Sequence, residues 1–329
     1  MMNSSRDWHG RQMDILAKNG TALNIPVKPV VKTQEFAVGS NTLVRRLLPY
    51  LMVAPAIAAS LIFLIYPIIY MFRLSFYKWN MIGEMKFIGL DNYIDLFSDP
   101  EFMQVLFNTC QFTFWTVAGS IVLGLVLAVY LRKNTRINRF IQGIMFTPYV
   151  LPMISIAFVW MWIMDTDLGL LNYVLGLFGI DKVMWLNDPK VAMYSLIIVN
   201  IWKAAGYYTL IFLSALQSIP SYLYEAAELD HAKPATTFFK ITLPMLSPTL
   251  FFLTLTAIIS SFKVFETVNV MTDGGPQNST MTLVYYIYQY GFRFYKIGYA
   301  STVGVVLMVI VSVLTLVYFC GLQKKVHYQ

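Results

Sequence analysis

The sequence predicts an all-α polytopic membrane protein with six transmembrane helices, and its composition and apolar patterning carry that prediction. Of 329 residues, 57% are hydrophobic and only 12% are charged, whereas soluble domains carry about 25% charged residues. Six apolar segments are each long enough to cross a hydrocarbon core, which needs about 20 residues per helix. They lie near 47–72, 105–131, 140–164, 191–215, 248–271 and 298–321. Because six is an even number, both termini are expected on one side of the membrane.

The N-terminal stretch, residues 1–44, differs in composition from the rest. Charged residues such as Arg6 and Asp7 exclude the apolar core of a signal peptide. Pro26 and Pro29 disfavour a long helix there. We therefore predict a cytoplasmic extension over 1–44, which is most simply a passive tail, and a transmembrane domain over 45–329.

Basic residues near the segment ends indicate the orientation, since cytoplasmic loops carry an excess of Lys and Arg. A dense group follows the second segment, namely Arg132, Lys133, Arg136 and Arg139. This group favours a cytoplasmic location for both termini and for the loop at about 218–247. The net charge of +7 is then a property of these loops, and the chain has no basic stripe that would indicate nucleic-acid binding.

The prolines within the first and third segments predict kinks, because a proline removes a backbone donor from a helix. Pro55 and Pro67 lie in the first segment, and Pro148 and Pro152 lie in the third. Carbonyl groups freed at these positions are expected to face a cavity or a neighbouring helix.

The loop between the fourth and fifth segments, Ser221 to Pro248, has the order of a folded element. We expect Pro220 to end the preceding helix and Ser221 to cap a new one. Leu223, Ala226 and Ala227 recur at i, i+3 and i+4, which predicts a short helix with a narrow apolar face.

A second short helix is predicted in the same loop. Pro234 fits its first turn, and Pro244 followed by Ser247-Pro248 ends it and begins the fifth segment. Between the two short helices the chain must bend sharply near His231.

This loop resembles the signature loop of permeases in binding-protein-dependent ABC importers. The matching residues are Glu225, Ala226, Ala227, Asp230, Ala232, Ile241, Leu243 and Pro244. The family usually has Gly where this chain has His231, so either the bend persists there with some strain or Pro234 shifts it. An ordinary amphipathic cytoplasmic loop is the alternative interpretation.

The resemblance implies the type I ABC importer permease fold and a coupling loop at about 218–247 that contacts an ATPase. The residues expected to couple transport to the ATPase are Glu225, Ala226, Ala227, Asp230, His231, Ala232, Leu243 and Pro244. Implied partners are a second permease subunit in a pseudo-symmetric heterodimer, two ATPase subunits and an extracytoplasmic solute-binding protein. The implied location is the bacterial plasma (inner) membrane, with lipid around the spans and no nucleic acid.

The segment after the fifth span, Thr272 to Pro276, also resembles permeases of sugar importers. There Gly274, Gly275 and Pro276 are candidate residues for docking of the binding protein, and the implied cargo is a carbohydrate. A tyrosine-rich run from Tyr285 to Tyr295 follows. It is interpreted first as an aromatic belt at the membrane surface and second as a mouth where rings stack on sugar faces.

Polar groups within spans are costly, so each is a site hypothesis. The candidates for the substrate path are Asn200, Lys203, Tyr208, Lys263, Glu266 and Asn269. Lys263 and Glu266, three residues apart, could instead neutralise each other, and Lys203 could snorkel or pair with an acidic group.

Enzymatic function is not predicted. No GxxxxGK[ST] motif is present, so ATP and its Mg²⁺ are expected on the partner ATPase, with no cofactor on this chain. No HExxH motif or Cys/His cluster suggests a metal, and no GxSxG motif suggests a hydrolase. Cys110 and Cys320 are expected to be buried, unpaired thiols. An ion-coupled secondary transporter remains the alternative, although it usually shows internal repeats and intramembrane carboxylates.

Overall fold

The computed structural model describes residues 42–322. The predicted extension over 1–44 therefore lies almost wholly outside the described residues, as do positions 323–329. The chain divides into two units, Met1–Ala58 and Ala59–Gln329, and the sites described below belong to the second. The first predicted span comprises α1 (Thr42–Ser60), a π-helical turn (Leu61–Ile65) and α2 (Tyr66–Leu74). The widened turn directly precedes Pro67, which has no N–H to donate to the turn before it.

A short hairpin and a small helix precede the second span. Strand β1 (Tyr77–Lys78) pairs antiparallel with β2 (Lys86–Phe87), and α3 (Asp91–Ser98) follows. The second span is α4 (Pro100–Tyr130), a helix of 31 residues. Asp99 caps it by accepting a hydrogen bond from the Glu101 N–H at 2.9 Å, and a proline stands at its first position.

The third span is broken, as Pro148 and Pro152 predict. Helix α5 (Arg136–Val150) and α6 (Met153–Ile163) meet at an angle of 103°. Leu151 between them is extended, with ψ of 145°, because a residue before proline is excluded from the helical region. Helix α7 (Leu170–Leu177) follows in the next loop.

The fourth span, α8 (Ala192–Ser218), is the most buried of the four continuous spans in the described residues. It packs along α4 and against α5. Two glycines permit these close contacts. A Cβ on Gly124 of α4 would lie 2.6 Å from the Tyr208 Cβ, and a Cβ on Gly206 of α8 would collide with the Met145 carbonyl of α5.

The predicted loop 218–247 contains helix α9 (Ser221–Leu229), α10 (Pro234–Thr237), a π-helical turn (Phe238–Thr242) and α11 (Leu243–Met245). The fifth span follows as α12 (Ser247–Phe262), bent by 65° from the 234–245 segment. It is interrupted at residues 263–265 and continues as α13 (Glu266–Met271). The fifth predicted segment, 248–271, is therefore helical on both sides of a non-helical break at residues 263–265.

The chain ends with α14 (Leu283–Tyr288), a π-helical turn (Gln289–Arg293) and the sixth span, α15 (Ile297–Leu322). Within 42–322, four helices are long and apolar enough to cross a membrane, and the two bent pairs raise that number to six. The all-α membrane fold is thus confirmed, with four to six candidate spans in the described residues. Both cysteines are free, as predicted, but Cys110 and Cys320 are exposed on this chain, so the expectation that they are buried is wrong.

Candidate functional site: a cavity between two broken helices

A cavity of about 330 Å³ lies where the broken third and fifth spans meet the continuous helices α4 and α8. Five of the six predicted path residues line it: Asn200, Lys203, Tyr208, Lys263 and Glu266. They come from helices separated by about 60 residues of sequence, so the fold brings them together. Asn269 does not line the cavity. The Oδ1 atom of its side-chain amide is buried and has no hydrogen-bond partner within residues 42–322.

Lys203 pairs with no acidic group in the described residues. Its ammonium instead donates to three backbone carbonyls at the break in the third span: Leu151 at 2.7 Å, Pro148 at 3.0 Å and Tyr149 at 3.1 Å. The predicted fate of the freed carbonyls is thereby confirmed, since a neighbouring helix satisfies them.

Asn200, one turn before Lys203, contacts the fifth span. Its amide nitrogen donates to the Leu196 carbonyl at 2.8 Å and to the Thr267 hydroxyl of α13 at 3.2 Å. These two bonds use both hydrogens of the amide nitrogen.

Lys263 and Glu266 flank the interruption of the fifth span. They form no ion pair among the described residues, so the predicted local neutralisation is wrong. The i, i+3 geometry that would join them requires a continuous helix, and residues 263–265 are not helical. Both side chains are exposed at the cavity.

The cavity wall also contains aromatic rings that the sequence did not single out. Tyr149 and Tyr207 stack with ring centroids 4.4 Å apart and planes inclined by 9°, and Tyr207 meets Tyr208 edge-on at 5.5 Å. Tyr149 stands between the two prolines of the third span, and that position is the only sequence signal that could have drawn attention to it.

Two hydroxyls on α4 form the opposite wall. Thr116 and Ser120 are buried and line the cavity, and their hydroxyl oxygens have no hydrogen-bond partner within residues 42–322. They lie one turn apart on α4, and the sequence analysis did not single them out. A buried hydroxyl needs a partner, so this wall is suited to receiving the hydroxyl groups of a polar solute.

At the end of the molecule that contains Arg132 and Lys133, α9 ends in a Schellman motif. The Ala232 N–H donates to the Ala227 carbonyl at 2.9 Å, and the His231 N–H donates to the Glu228 carbonyl at 3.0 Å. His231 has a φ of 50°, so the bend persists at the expected position without Gly. The first helix is capped by Pro220 rather than Ser221, and Pro234 opens the second as predicted.

The predicted coupling residues divide into exposed and inward-facing groups. Glu225, Ala226, Asp230 and His231 are exposed, Ala232, Leu243 and Pro244 are partly buried, and Ala227 is buried. Ala227 lines a second cavity of about 970 Å³ between α9, α10 and the 129–138 segment. Ala226 is therefore more accessible on this chain than Ala227, and the coupling role of both alanines stays a prediction.

Gly274, Gly275 and Pro276 form a tight turn at the opposite end. Gly274 is buried with φ of +80°, and a Cβ there would lie 2.7 Å from the Tyr285 ring. The Gly275–Pro276 peptide is cis. Arg293 donates to both carboxylate oxygens of the adjacent Asp273 and holds the pKa of that carboxyl below its ordinary value.

The tyrosine-rich run begins with buried rings and ends with exposed ones, Phe292, Phe294 and Tyr295. Tyr285 and Tyr286 are both 0% exposed and donate hydrogen bonds to Asp273 and Asp99. The aromatic-belt interpretation is therefore wrong for these two rings, which pack the loop core.

The chain is similar in sequence to known transport proteins. Residues 120–326 match the family described as "Binding-protein-dependent transport system inner membrane component". The chain is 37% identical, over 86% of its length and 97% of the relative, to the sn-glycerol-3-phosphate transport system permease protein UgpA of Escherichia coli (strain UTI89 / UPEC). It is 33% identical, over 85% and 92%, to the sulfoquinovosyl glycerol transport system permease protein SmoG of Agrobacterium fabrum.

The fold is similar to that of a solved bacterial ABC transporter involved in the import of the acidic polysaccharide alginate. The TM-score is 0.76 at 25% identity, covering 85% of this chain and 97% of that one. Taken with the six apolar segments and the loop around Glu225, these matches assign this chain to the inner membrane components of binding-protein-dependent transport systems, as an ABC importer permease.

Proposed function

We propose that this chain is the transmembrane subunit of an ATP-driven importer that passes a carbohydrate, or a carbohydrate derivative, through the cavity beside α8. The observation that carries the proposal is the composition of that cavity. Stacked Tyr149 and Tyr207 offer an apolar face, while Thr116 and Ser120 offer hydroxyls that have no hydrogen-bond partner within residues 42–322. Sugars present apolar faces ringed by hydroxyls, so both surfaces have a counterpart in the cargo.

The relatives support a carbohydrate-related cargo. Their names specify sn-glycerol 3-phosphate and sulfoquinovosyl glycerol, and the solved transporter imports alginate. All three compounds carry hydroxyl groups together with an acidic group, so a wall of hydroxyl donors and acceptors has a counterpart in each of them.

The driving force is proposed to come from separate ATPase subunits that hold ATP and Mg²⁺. Exposed Glu225 and Ala226 on α9 would lie in a groove of the ATPase, with Glu225 against a cationic group. Helix α9 follows α8 after only Ile219 and Pro220, so a displacement of α9 is passed directly to a helix that lines the cavity. Closing and reopening of the ATPase pair would then alternate access to the cavity.

A second permease subunit and an extracytoplasmic solute-binding protein complete the proposed assembly. The alginate transporter is also solved in complex with an alginate pentasaccharide-bound periplasmic protein, which supports a receptor for this chain's complex. Both termini are proposed to be cytoplasmic, because the basic cluster at Arg132 and the α9 loop line one cavity at one end.

The test is uptake by the complete complex in proteoliposomes with ATP enclosed. A panel of labelled solutes should include sn-glycerol 3-phosphate, a neutral disaccharide and an acidic oligosaccharide. We expect saturable uptake of at least one, dependent on ATP and on the binding protein, and unaffected by ionophores. Uptake that stops with ionophores and continues without ATP would establish the ion-coupled alternative instead.

Variants of the stacked pair connect that uptake to the cavity. Tyr149→Ala removes one face and is expected to raise KM about three- to tenfold, the range given by about 0.5–1.5 kcal/mol for an aromatic contact. Tyr149→Phe keeps the ring and serves as the matched control, with KM within about twofold of the original value. An unchanged KM in Tyr149→Ala would show that the Tyr149 ring does not contact the cargo.

A further inference from the structure

The break in the third span leaves backbone acceptors without donors. In a continuous helix the Pro148 carbonyl would accept from the N–H of residue 152, but residue 152 is proline. The last carbonyls of any helix lack intrahelical partners, and Leu151 is extended here. These residues are half-buried to exposed on the chain, but within a membrane span a backbone carbonyl has no water to bond, so a partner from elsewhere in the protein stabilises the break.

Lys203 supplies that stabilisation. An ammonium group has three N–H donors, and the three carbonyls of Pro148, Tyr149 and Leu151 accept all of them at 2.7–3.1 Å. A cation at a helix C-terminus is also favourable because the carbonyl ends carry partial negative charge. With every donor used, Lys203 has none left for a cargo hydroxyl.

The neighbours of Lys203 on α8 hold the same segment. Lys203, Gly206 and Tyr207 are spaced i, i+3 and i+4 and therefore share one face of the helix. Gly206 lies against the Met145 carbonyl, and Tyr207 stacks on Tyr149. The end of α5 is thus fixed to α8 by polar, backbone and aromatic contacts.

Asn200 extends this arrangement to the other broken span through Thr267 of α13. Helix α8 therefore contacts both interruptions and continues at its other end toward α9.

We propose that Lys203 is a positioning residue of the transport cycle: it locks the broken end of α5 to α8, so that the Tyr149 wall of the cavity moves with the helix that leads to α9. It does not bind cargo. This inference rests on the proposed function for its transport readout, whereas its conformational readout does not require transport.

The test uses the complete complex in lipid nanodiscs and proteoliposomes. Native Cys110 and Cys320 are replaced by Ser, and Met153, which lines the cavity at the start of α6, is replaced by Cys as a reporter. Reaction of that cysteine with a maleimide is compared in Lys203→Met, Lys203→Arg and the original chain. Lys263→Met is the matched control for the labelling rate, because it removes another ammonium from the same cavity without freeing α5.

Lys203→Met is expected to raise the labelling rate and lower the maximal uptake rate, each by about tenfold. The reason is that loss of one charge-assisted hydrogen bond changes the equilibrium between the attached and the released end of α5 by more than a factor of about ten. KM should stay within about twofold, because no cargo contact is lost. Lys203→Arg should recover most of both effects by donating again to the carbonyls. Lys263→Met should leave the labelling rate within about twofold.

Three outcomes would overturn the proposal: an unchanged labelling rate in Lys203→Met, a raised KM at unchanged maximal uptake, or an arginine variant no better than methionine. If Lys203→Met does not assemble, Lys203→Gln, which keeps two donors, is judged by the same criteria. If the original complex takes up none of the solutes, the proposed function fails, and the labelling rates alone still decide whether Lys203 holds the break.

Discussion

Arg293 donates two hydrogen bonds to Asp273, from Nη2 to Oδ1 at 2.7 Å and from Nη1 to Oδ2 at 3.0 Å. The Tyr285 hydroxyl donates to the same carboxylate at 2.7 Å. The guanidinium also lies over the rings of Tyr285 and Tyr288. This pair, twenty residues apart, therefore fixes the Gly274–Pro276 turn against the tyrosine-rich segment, and the turn's shape depends on it.

Asp273→Asn is expected to lower thermal stability, and the loss should depend on pH. The Arg293 bond depresses the pKa of Asp273 in the folded state. Its contribution is therefore fully present above the unfolded value of about 3.9 and is lost as pH falls through the lower folded value. The difference in melting temperature between the original chain and the variant should be largest at neutral pH and should disappear as the pH falls below about 3.9.

The contribution is small because the side chains are 39% and 57% exposed, and solvent screening limits such a pair to about 0.5–1 kcal/mol. Asp167→Asn is the control. In the ion pair of Asp167 with Lys182 the two side chains are 80% and 60% exposed, respectively. We therefore expect a smaller change in melting temperature for Asp167→Asn. Equal shifts in the two variants would show that the bidentate geometry adds nothing.

Glu225→Lys is expected to uncouple transport from ATP hydrolysis while the chain still inserts and assembles. Glu225 is exposed on α9, so its replacement disturbs no internal packing, and a reversed charge would repel the cationic partner proposed on the ATPase. We expect uptake to fall at least about tenfold, as removal of an interfacial charge partner commonly does. ATPase activity and uptake should be measured on the same preparation.

Asp181→Lys provides the matched charge reversal at an exposed position in the loop after α7. It should leave coupling intact. Normal uptake in Glu225→Lys would contradict a coupling role for that side chain.

His231→Gly is expected to retain transport and to raise the melting temperature of the complex. The left-handed backbone at φ of 50° costs a residue with a Cβ about 1 kcal/mol, which glycine avoids. His231→Val should have the opposite effect, because a β-branched residue is poorly tolerated at positive φ. Complete loss of uptake in His231→Gly would mean that the imidazole itself takes part in coupling.

Ser120→Ala should raise KM without lowering stability. The Ser120 hydroxyl is buried at the cavity and has no partner within the described residues, so its removal breaks no protein hydrogen bond. Thr109→Val is the reciprocal control on the same helix. The Thr109 hydroxyl donates to the Val105 carbonyl at 2.8 Å and accepts from the Leu283 N–H at 3.0 Å.

Losing those two bonds leaves a buried N–H unpaired, which costs about 1–3 kcal/mol. We therefore expect Thr109→Val to lower the melting temperature while KM stays unchanged. Melting curves and uptake kinetics on both variants distinguish the roles. A drop in stability in Ser120→Ala would place its hydroxyl in the internal packing instead.

Local chemistry made much of the fold predictable. Apolar length indicated six spans, Pro148 and Pro152 indicated the break in the third, and Pro234 indicated the start of α10. Each feature depends on neighbours within a few residues, so the sequence alone contains its cause. Lys263 and Glu266 form no local pair because the helix that would align them is interrupted at residues 263–265.

The sequence by itself determined the class of molecule, the order of its spans and the loop around Glu225, because hydrophobic length and turn chemistry act locally. Only the tertiary structure decided which polar groups remain available. Lys203 lies 52 to 55 positions from the carbonyls it binds, and Ala227 is covered by its own loop. Neighbours in the fold occupy hydrogen-bond donors and cover surface area. Because these neighbours are distant in sequence, the residues adjacent in the chain do not identify them.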